Sequence, residues 1–260
     1  MSKISDGIQN SDKQAALIPF ITAGFPFHDS TVAMLTALAD AGADVIELGV
    51  AFSDPMADGS AIQRANEVAL ANQVSLPTTL AQIREFRQSN THTPLVLMGY
   101  ANSFINYHGD FAADAHTAGV NGVIIVDLAD RDRVQWRQQL SAVDIDLISL
   151  IAPTTAPERM KTIATTAQGF LYFISLRGVT GAAHLQTNDI RTQVQNIQCL
   201  TSVPVAVGFG IRTAEQAQEV AGIADAVVIG SRLIEIAEAN PADAPAAVAE
   251  FMSTVTQALR

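Results

Sequence analysis

The sequence places one carboxylate inside an apolar run, in Asp44-Val45-Ile46-Glu47-Leu48-Gly49-Val50. In an extended segment Ile46, Leu48 and Val50 share one face, while Val45, Glu47 and Gly49 share the other. The bulkier face suits a covering layer of helices, so Glu47 is expected to point inward. An unpaired buried carboxylate is costly, and burial raises its pKa toward the range useful for general acid–base work. A structural glutamate bridged to Lys or Arg is the alternative, but the apolar runs offer no obvious basic partner.

A second carboxylate, Asp58, follows on the loop Ala51-Phe52-Ser53-Asp54-Pro55-Met56-Ala57-Asp58-Gly59. Asp-Pro and Asp-Gly are ordinary turn pairs. Position singles Asp58 out, because it sits on the loop leaving the strand that holds Glu47. Two carboxylates in different environments can divide acid–base and charge-stabilising roles. Three glycine-containing segments come later: Arg177-Gly178-Val179-Thr180-Gly181-Ala182, Gly208-Phe209-Gly210-Ile211 and Gly230-Ser231-Arg232. Each alone reads as a tight turn. After consecutive strands they form a candidate phosphate cradle of backbone N–H groups and a helix N-terminus, with Ser231 as a further donor.

Other residues are weaker candidates. Gly208-Phe209-Gly210 begins a dinucleotide fingerprint, but Thr213 stands where its third glycine belongs, and it follows a late strand. His28, His92, His108, His116 and His184 are scattered without metal-ligand spacing, so no metal site is expected. His184 lies on a long loop that could approach a ligand. Tyr100 and Tyr172 lie near the C-terminal ends of strands and are candidate ligand walls, or packing residues. Trp136 is expected to pack.

The elements that would position these groups alternate along the chain. Apolar runs fall at Leu17–Thr22, Asp44–Val50, Leu95–Tyr100, Gly122–Asp127, Asp146–Ile151, Phe170–Ser175, Val203–Val207 and Asp225–Ile229. Helical spacing falls at Thr31–Ala41, Leu80–Gln88, Arg131–Leu140, Ala156–Ala164, Ala214–Ala221 and Ala246–Leu259. Continuous apolar strands alternating with helices imply a parallel sheet covered on both faces. Eight such units suit an α/β fold of the (β/α)8 TIM-barrel type, which takes about 250 residues. An open doubly wound sheet fits the same periodicity. With no linker-like segment, residues 1–260 are expected to be one domain, broken briefly at Pro241–Pro245 before the last helix.

Composition narrows the partners. Hydrophobic residues make up 48% of the chain and charged residues 16%, which excludes intrinsic disorder. A net charge of −11 argues against nucleic acid or an anionic membrane as the main partner. Cys199 is the single cysteine, so no internal disulfide can form. The N-terminal residues lack the apolar core of a signal peptide, and the greasy stretch from Ala15 to Phe27 is broken by Pro19, Gly24 and Pro26. A cytoplasmic protein is expected.

Together, Glu47-Leu48-Gly49, Phe52-Ser53-Asp54-Pro55-Met56-Ala57-Asp58-Gly59, Gly178-Val179-Thr180-Gly181 and Gly208-Phe209-Gly210-Ile211 resemble the tryptophan synthase alpha subunit family. Ile21-Thr22-Ala23-Gly24, Tyr100-Ala101-Asn102, Gly122-Val123-Ile124-Ile125-Val126-Asp127-Leu128 and Ala152-Pro153-Thr154-Thr155 add to the match. The resemblance implies a lyase that cleaves indole-3-glycerol phosphate to indole and glyceraldehyde 3-phosphate by a retro-aldol reaction. It implies Glu47 for the acid–base work and Asp58 for holding the indole N–H. Tyr172 matches an active-site tyrosine, Tyr100 lines the indole pocket, and Thr180 lies on a closing loop. Gly181, Phe209, Gly210, Gly230 and Ser231 match the phosphate site. No cofactor is implied on this chain. Pyridoxal phosphate belongs to the beta subunit, with which the family forms a linear αββα complex and shares an indole tunnel.

Some positions depart from the family pattern. Ala51, Ser60 and Ala129 stand where proline is usual, Ala61 replaces a threonine, and Arg232 replaces a small residue. Lost prolines add backbone freedom at the barrel mouth, the side that faces the beta subunit in the family. They leave two alternatives open, a stand-alone lyase releasing free indole and a weakly catalytic allosteric partner. Arg232 could contact phosphate or face solvent.

Overall fold

Among the described residues nine parallel strands carry the fold: β1 (Ala16–Thr22), β2 (Ile46–Gly49), β3 (Leu95–Gly99), β4 (Gly122–Ile125), β5 (Asp146–Leu147), β6 (Ser149–Ile151), β7 (Leu171–Ile174), β8 (Val205–Gly208) and β9 (Ala226–Ile229). The computed structural model describes residues 2–174, 183–208 and 210–260, with the backbone alone at 183–189. The order around the sheet is β5-β4-β3-β2-β1-β9-β8-β7-β6. Only Ile148 separates the two ends of that order. β5 pairs with β4 through Val123↔Leu147, and β6 pairs with β7 through Leu150↔Tyr172. Ile148 N–H still donates to Val123 O at 2.9 Å. The expected run Asp146–Ile151 is therefore one strand interrupted at Ile148, its halves serving different neighbours because barrel strands are staggered. That closure makes the sheet a (β/α)8 barrel and removes the open doubly wound alternative.

Two apolar layers follow from strand alternation. Ala16, Ile18, Val45, Val96, Ile124, Phe170, Ala206 and Val228 cluster within the barrel. Ile46, Leu48, Leu95, Leu97, Val205 and Val207 join the larger cluster under the helices. The helix Lys3–Gln9 belongs to the inner layer: Ile4 and Ile8, one turn apart, pack into it, and Ser5 Oγ donates to Gly169 O at 2.6 Å.

All six expected helices occur, with ends shifted by a few residues, as in Ser30–Asp40, Leu76–Arg87 and Ala244–Leu259. Lys3–Gln9, Ser60–Ala71, Ala101–Ile105, Phe111–Ala118, Ala183–Gln198 and Ser231–Ala239 are additional. Small or mixed buried faces hid several of them; Ser60–Ala71 buries only Ala61, Ala65, Asn66 and Ala69. Thr213 caps the helix Ala214–Ala221, its side chain accepting from Gln216 N–H at 3.3 Å. A capping hydroxyl therefore occupies the place of a dinucleotide-site glycine. Trp136 packs edge-on against Phe104 and Phe111, as expected.

Ile4 is fully buried in the inner layer. Ile4→Ala is expected to lower unfolding free energy by about 2–5 kcal/mol. Urea denaturation monitored by circular dichroism measures this; an unchanged midpoint would show that the N-terminal helix is not part of the core.

Candidate active site

Glu47 is 0% exposed and sits on β2 between Phe20 of β1 and Val96 of β3. Its neighbour Val45 belongs to the inner layer, whereas Ile46 and Leu48 belong to the outer one. Among the described residues neither carboxylate oxygen of Glu47 has a hydrogen-bond partner. Desolvation without compensation pushes its pKa from 4.5 up to about 8. Across the barrel, burial and the Glu47 charge push the Tyr172 hydroxyl well above its ordinary value. Space for that hydroxyl comes from Gly208, where an added Cβ would lie 2.5 Å from the Tyr172 oxygen.

Asp58 occupies a different environment. It is half-buried, and burial raises its pKa to about 6 against hydrogen bonds from Tyr100 and Asn66 that lower it. Tyr100 is buried, its ring stacked on Phe52 at 5.0 Å, and its oxygen accepts from Ala57 N–H at 3.0 Å. Burial carries the Tyr100 hydroxyl up to about 12, so it remains a donor to Asp58. Gln63 Nε2 donates to Asp58 O at 2.9 Å.

Asp58, Asn66 and Tyr100 line a small cleft together with Phe20, Thr22, Gly49, Val50, Met98, Gly99 and Val126. Its walls are mostly apolar, with Asp58 as the ionisable group able to orient a flat ligand. Asn66 and Thr22 were not singled out from sequence. Asn66 gave one signal, an amide beside the Ala61, Ala65 and Ala69 face of its helix. Thr22 gave none beyond its place at a strand end; among the described residues its buried hydroxyl has no partner.

The glycine cradle is described in part. Gly210 has φ +64°, and a side chain there would meet nothing within 4 Å. Gly230 is the N-cap of Ser231–Ala239 and supplies no side-chain cap, which leaves that helix start to an outside acceptor. A Cβ on Gly59 would lie 4.0 Å from Ser231 Oγ, so the loop after β2 meets this helix start. Arg64 also clasps Glu238 through two 2.8 Å bonds, linking Ser60–Ala71 to Ser231–Ala239. Thr180, Gly181 and Phe209 lie outside the described residues, as does the side chain of His184. The Arg232 guanidinium lies over the Phe251 ring at 5.8 Å and within 3.6 Å of Glu235, with its side chain 37% exposed. Among the described residues no group of three His, Cys, Asp or Glu side chains could hold a metal ion. No helix among them is long and apolar enough to cross a membrane.

Closed barrel, inward carboxyl and a mouth cleft beside a helix start define a (β/α)8 barrel of the kind that carries its chemistry at the strands' C-terminal ends. The family model described as tryptophan synthase alpha chain matches residues 8–259. A tryptophan synthase alpha chain from Methylibium petroleiphilum is 48% identical over 263 residues, covering 100% of this chain and 97% of that one. One from Burkholderia cenocepacia is 49% identical, covering 94% and 90%. Among solved structures, subunit alpha from Legionella pneumophila superposes with a TM-score of 0.90 at 38% identity, covering 100% and 98%. Tryptophan synthase from M. tuberculosis gives 0.88 at 30% identity, covering 100% of both chains. The chain belongs to the tryptophan synthase alpha chain family.

Glu47 makes stability depend on pH. Its folded pKa, about 8, exceeds the ordinary 4.5, so the stability tied to the protonated form is full below about 4.5 and is lost as pH rises through 8. Glu47→Gln is expected to gain on the unaltered chain between pH 5 and pH 9 by on the order of 3–5 kcal/mol. Urea denaturation at both pH values tests this; a difference that does not change with pH would mean that Glu47 is not buried as an acid.

Proposed function

We propose that this chain is the alpha subunit of a tryptophan synthase, a lyase that cleaves indole-3-glycerol phosphate to indole and glyceraldehyde 3-phosphate in tryptophan biosynthesis. Family membership supports the substrate and reaction. The observation that carries the mechanism is the buried, unpartnered Glu47 on β2, the strand whose following loop brings Asp58 to the cleft.

At neutral pH Glu47 is protonated and Asp58 is ionised, given their values of about 8 and about 6. The reaction uses those states in order. Glu47 gives its proton to indole C3, and the ring nitrogen becomes an iminium held by the Asp58 carboxylate. The Glu47 carboxylate then takes the proton of the glycerol hydroxyl on the carbon bonded to C3. The bond between that carbon and C3 breaks, its electron pair neutralises the iminium, and the hydroxyl carbon becomes the aldehyde. Glu47 ends protonated, as it began. Tyr100 holds Asp58 and walls the indole side, while Tyr172 flanks Glu47. The phosphate is assigned to Gly210, Gly230 and Ser231, with Gly181 and Phe209, and Thr180 to closure over the ligand. Closure would exclude water and strengthen each charge contact.

The chain acts as a single barrel domain in the cytoplasm and needs no cofactor of its own. Its partner is a beta subunit that carries pyridoxal phosphate, in an αββα complex. Support for docking comes from Phe27, Met56, Ile105 and Val134, large apolar side chains that are 54%, 84%, 64% and 60% exposed. They lie on the segments that follow β1, β2, β3 and β4. Large exposed apolar side chains on four successive segments that follow strands favour a docked subunit over a stand-alone lyase.

Indole release is expected to follow a bell-shaped pH profile. The acidic limb falls near 6, where Asp58 gains a proton, and the basic limb near 8, where Glu47 loses its proton. Adding a cognate beta subunit should raise the rate. Glu47→Gln is expected to lose about 10²–10⁴-fold or more in kcat while still binding substrate. Robust turnover by that variant would remove Glu47 from the chemistry, and no turnover by the unaltered chain with or without beta would overturn the function.

A further inference from the structure

We propose that Asn66 is a positioning residue that holds the loop after β2 at both ends and aims the Asp58 carboxylate into the cleft. The inference rests on the function proposed above and assigns a role to a residue outside the catalytic pair. Asn66 lies on the helix Ser60–Ala71, eight residues beyond Asp58, and is only 4% exposed. Its Oδ1 accepts from Phe52 N–H at 2.9 Å, at the start of the loop. Its Nδ2 donates to Asp58 Oδ2 at 3.4 Å, at the loop's end, and to Ile62 O at 2.9 Å.

Those partners fix the amide's orientation, since one end must accept from a backbone N–H and the other must donate to two oxygens. No other side chain of that length supplies both. Aspartate would offer acceptors alone and set a second negative charge against Asp58. The loop needs such a clamp because Ser53, Asp54, Met56 and Ala57 are exposed and gain little from packing. Tyr100 restrains Ala57, and Gln63 restrains the Asp58 carbonyl. Tyr100 also bonds the Asp58 carboxylate and stacks on Phe52, and Asn66 ties that carboxylate by hydrogen bonds to the backbone where the loop leaves β2. The clamp also keeps Asp58 fixed before substrate arrives, so that less ordering is left for the binding step.

A double-mutant cycle on the full chain separates this role from helix stability. The probe is indole-3-propanol phosphate, which lacks the glycerol hydroxyls and cannot be cleaved, and its affinity is measured by calorimetry. Asn66→Ala is expected to weaken binding about tenfold in the unaltered chain, as loss of a hydrogen bond to a charged group would. In an Asp58→Asn background it should weaken binding less than twofold. Equal losses in both backgrounds would overturn the role. Asn66→Asp keeps the shape and carries the test if the alanine variant fails to fold. It is expected to bind the probe more weakly than the unaltered chain at pH 8 and to recover toward it at pH 5, where a shared proton relieves the repulsion. Unaltered binding by Asn66→Asp at pH 8 would also overturn the proposal. Absence of binding by the unaltered chain would overturn the function itself, and the role of Asn66 with it.

Discussion

A carboxyl group buried without a hydrogen-bond partner governs the rest of this structure. Glu47 sits on the inner face of β2, where the barrel core supplies no compensating charge. An ionised carboxylate there would cost several kcal/mol, so the group retains its proton to about pH 8. The price is a core that tolerates one poorly solvated group, and the return is an acid available at neutral pH. Closing the sheet through the strand interrupted at Ile148 makes such an interior possible, because an open sheet would leave the carboxyl to a helix layer or to water.

The second carboxyl group depends on the opposite condition. Asp58 stands on a loop at the mouth, half-buried, with donors from Tyr100 and Asn66 that hold its pKa lower than that of Glu47. Two groups of the same chemistry thus differ in protonation because one is placed by a strand and the other by a loop. The loop that carries Asp58 and the helix start at Ser231 are also linked by construction. Gly59, next to Asp58, approaches Ser231, and Arg64 clasps Glu238 between the two helices that begin there. A ligand seated at the start of Ser231–Ala239 therefore lies against the same loop that carries Asp58.

Much of this was legible in the sequence, for specific reasons. Alternation in Val45-Ile46-Glu47-Leu48 fixed the direction of the Glu47 side chain, because Ile46 and Leu48 had to meet the helices. The order of strands and helices could not choose between closed and open sheets, since pairing between the two ends of the sheet leaves no periodic mark. Helices with buried alanine faces, such as Ser60–Ala71, were missed because alanine contributes little contrast. Asn66 stayed hidden for the same reason, its partners being a backbone N–H and a loop carboxylate that only the fold brings together. Arg232 meets Glu235, three residues on along the same helix and so readable from the sequence, and the aromatic face of Phe251, which only the fold brings to it.

The protonation state of Glu47 in the free chain is the quantity on which the chemistry turns. Infrared difference spectroscopy of the unaltered chain against Glu47→Gln reads it directly, through the carbonyl stretch of a protonated carboxylic acid. A band present at pH 6.5, absent from the variant and titrating away near pH 8 is the expected result. Its absence at pH 6.5, with Glu47 already ionised, would contradict the central claim that burial alone keeps this group an acid.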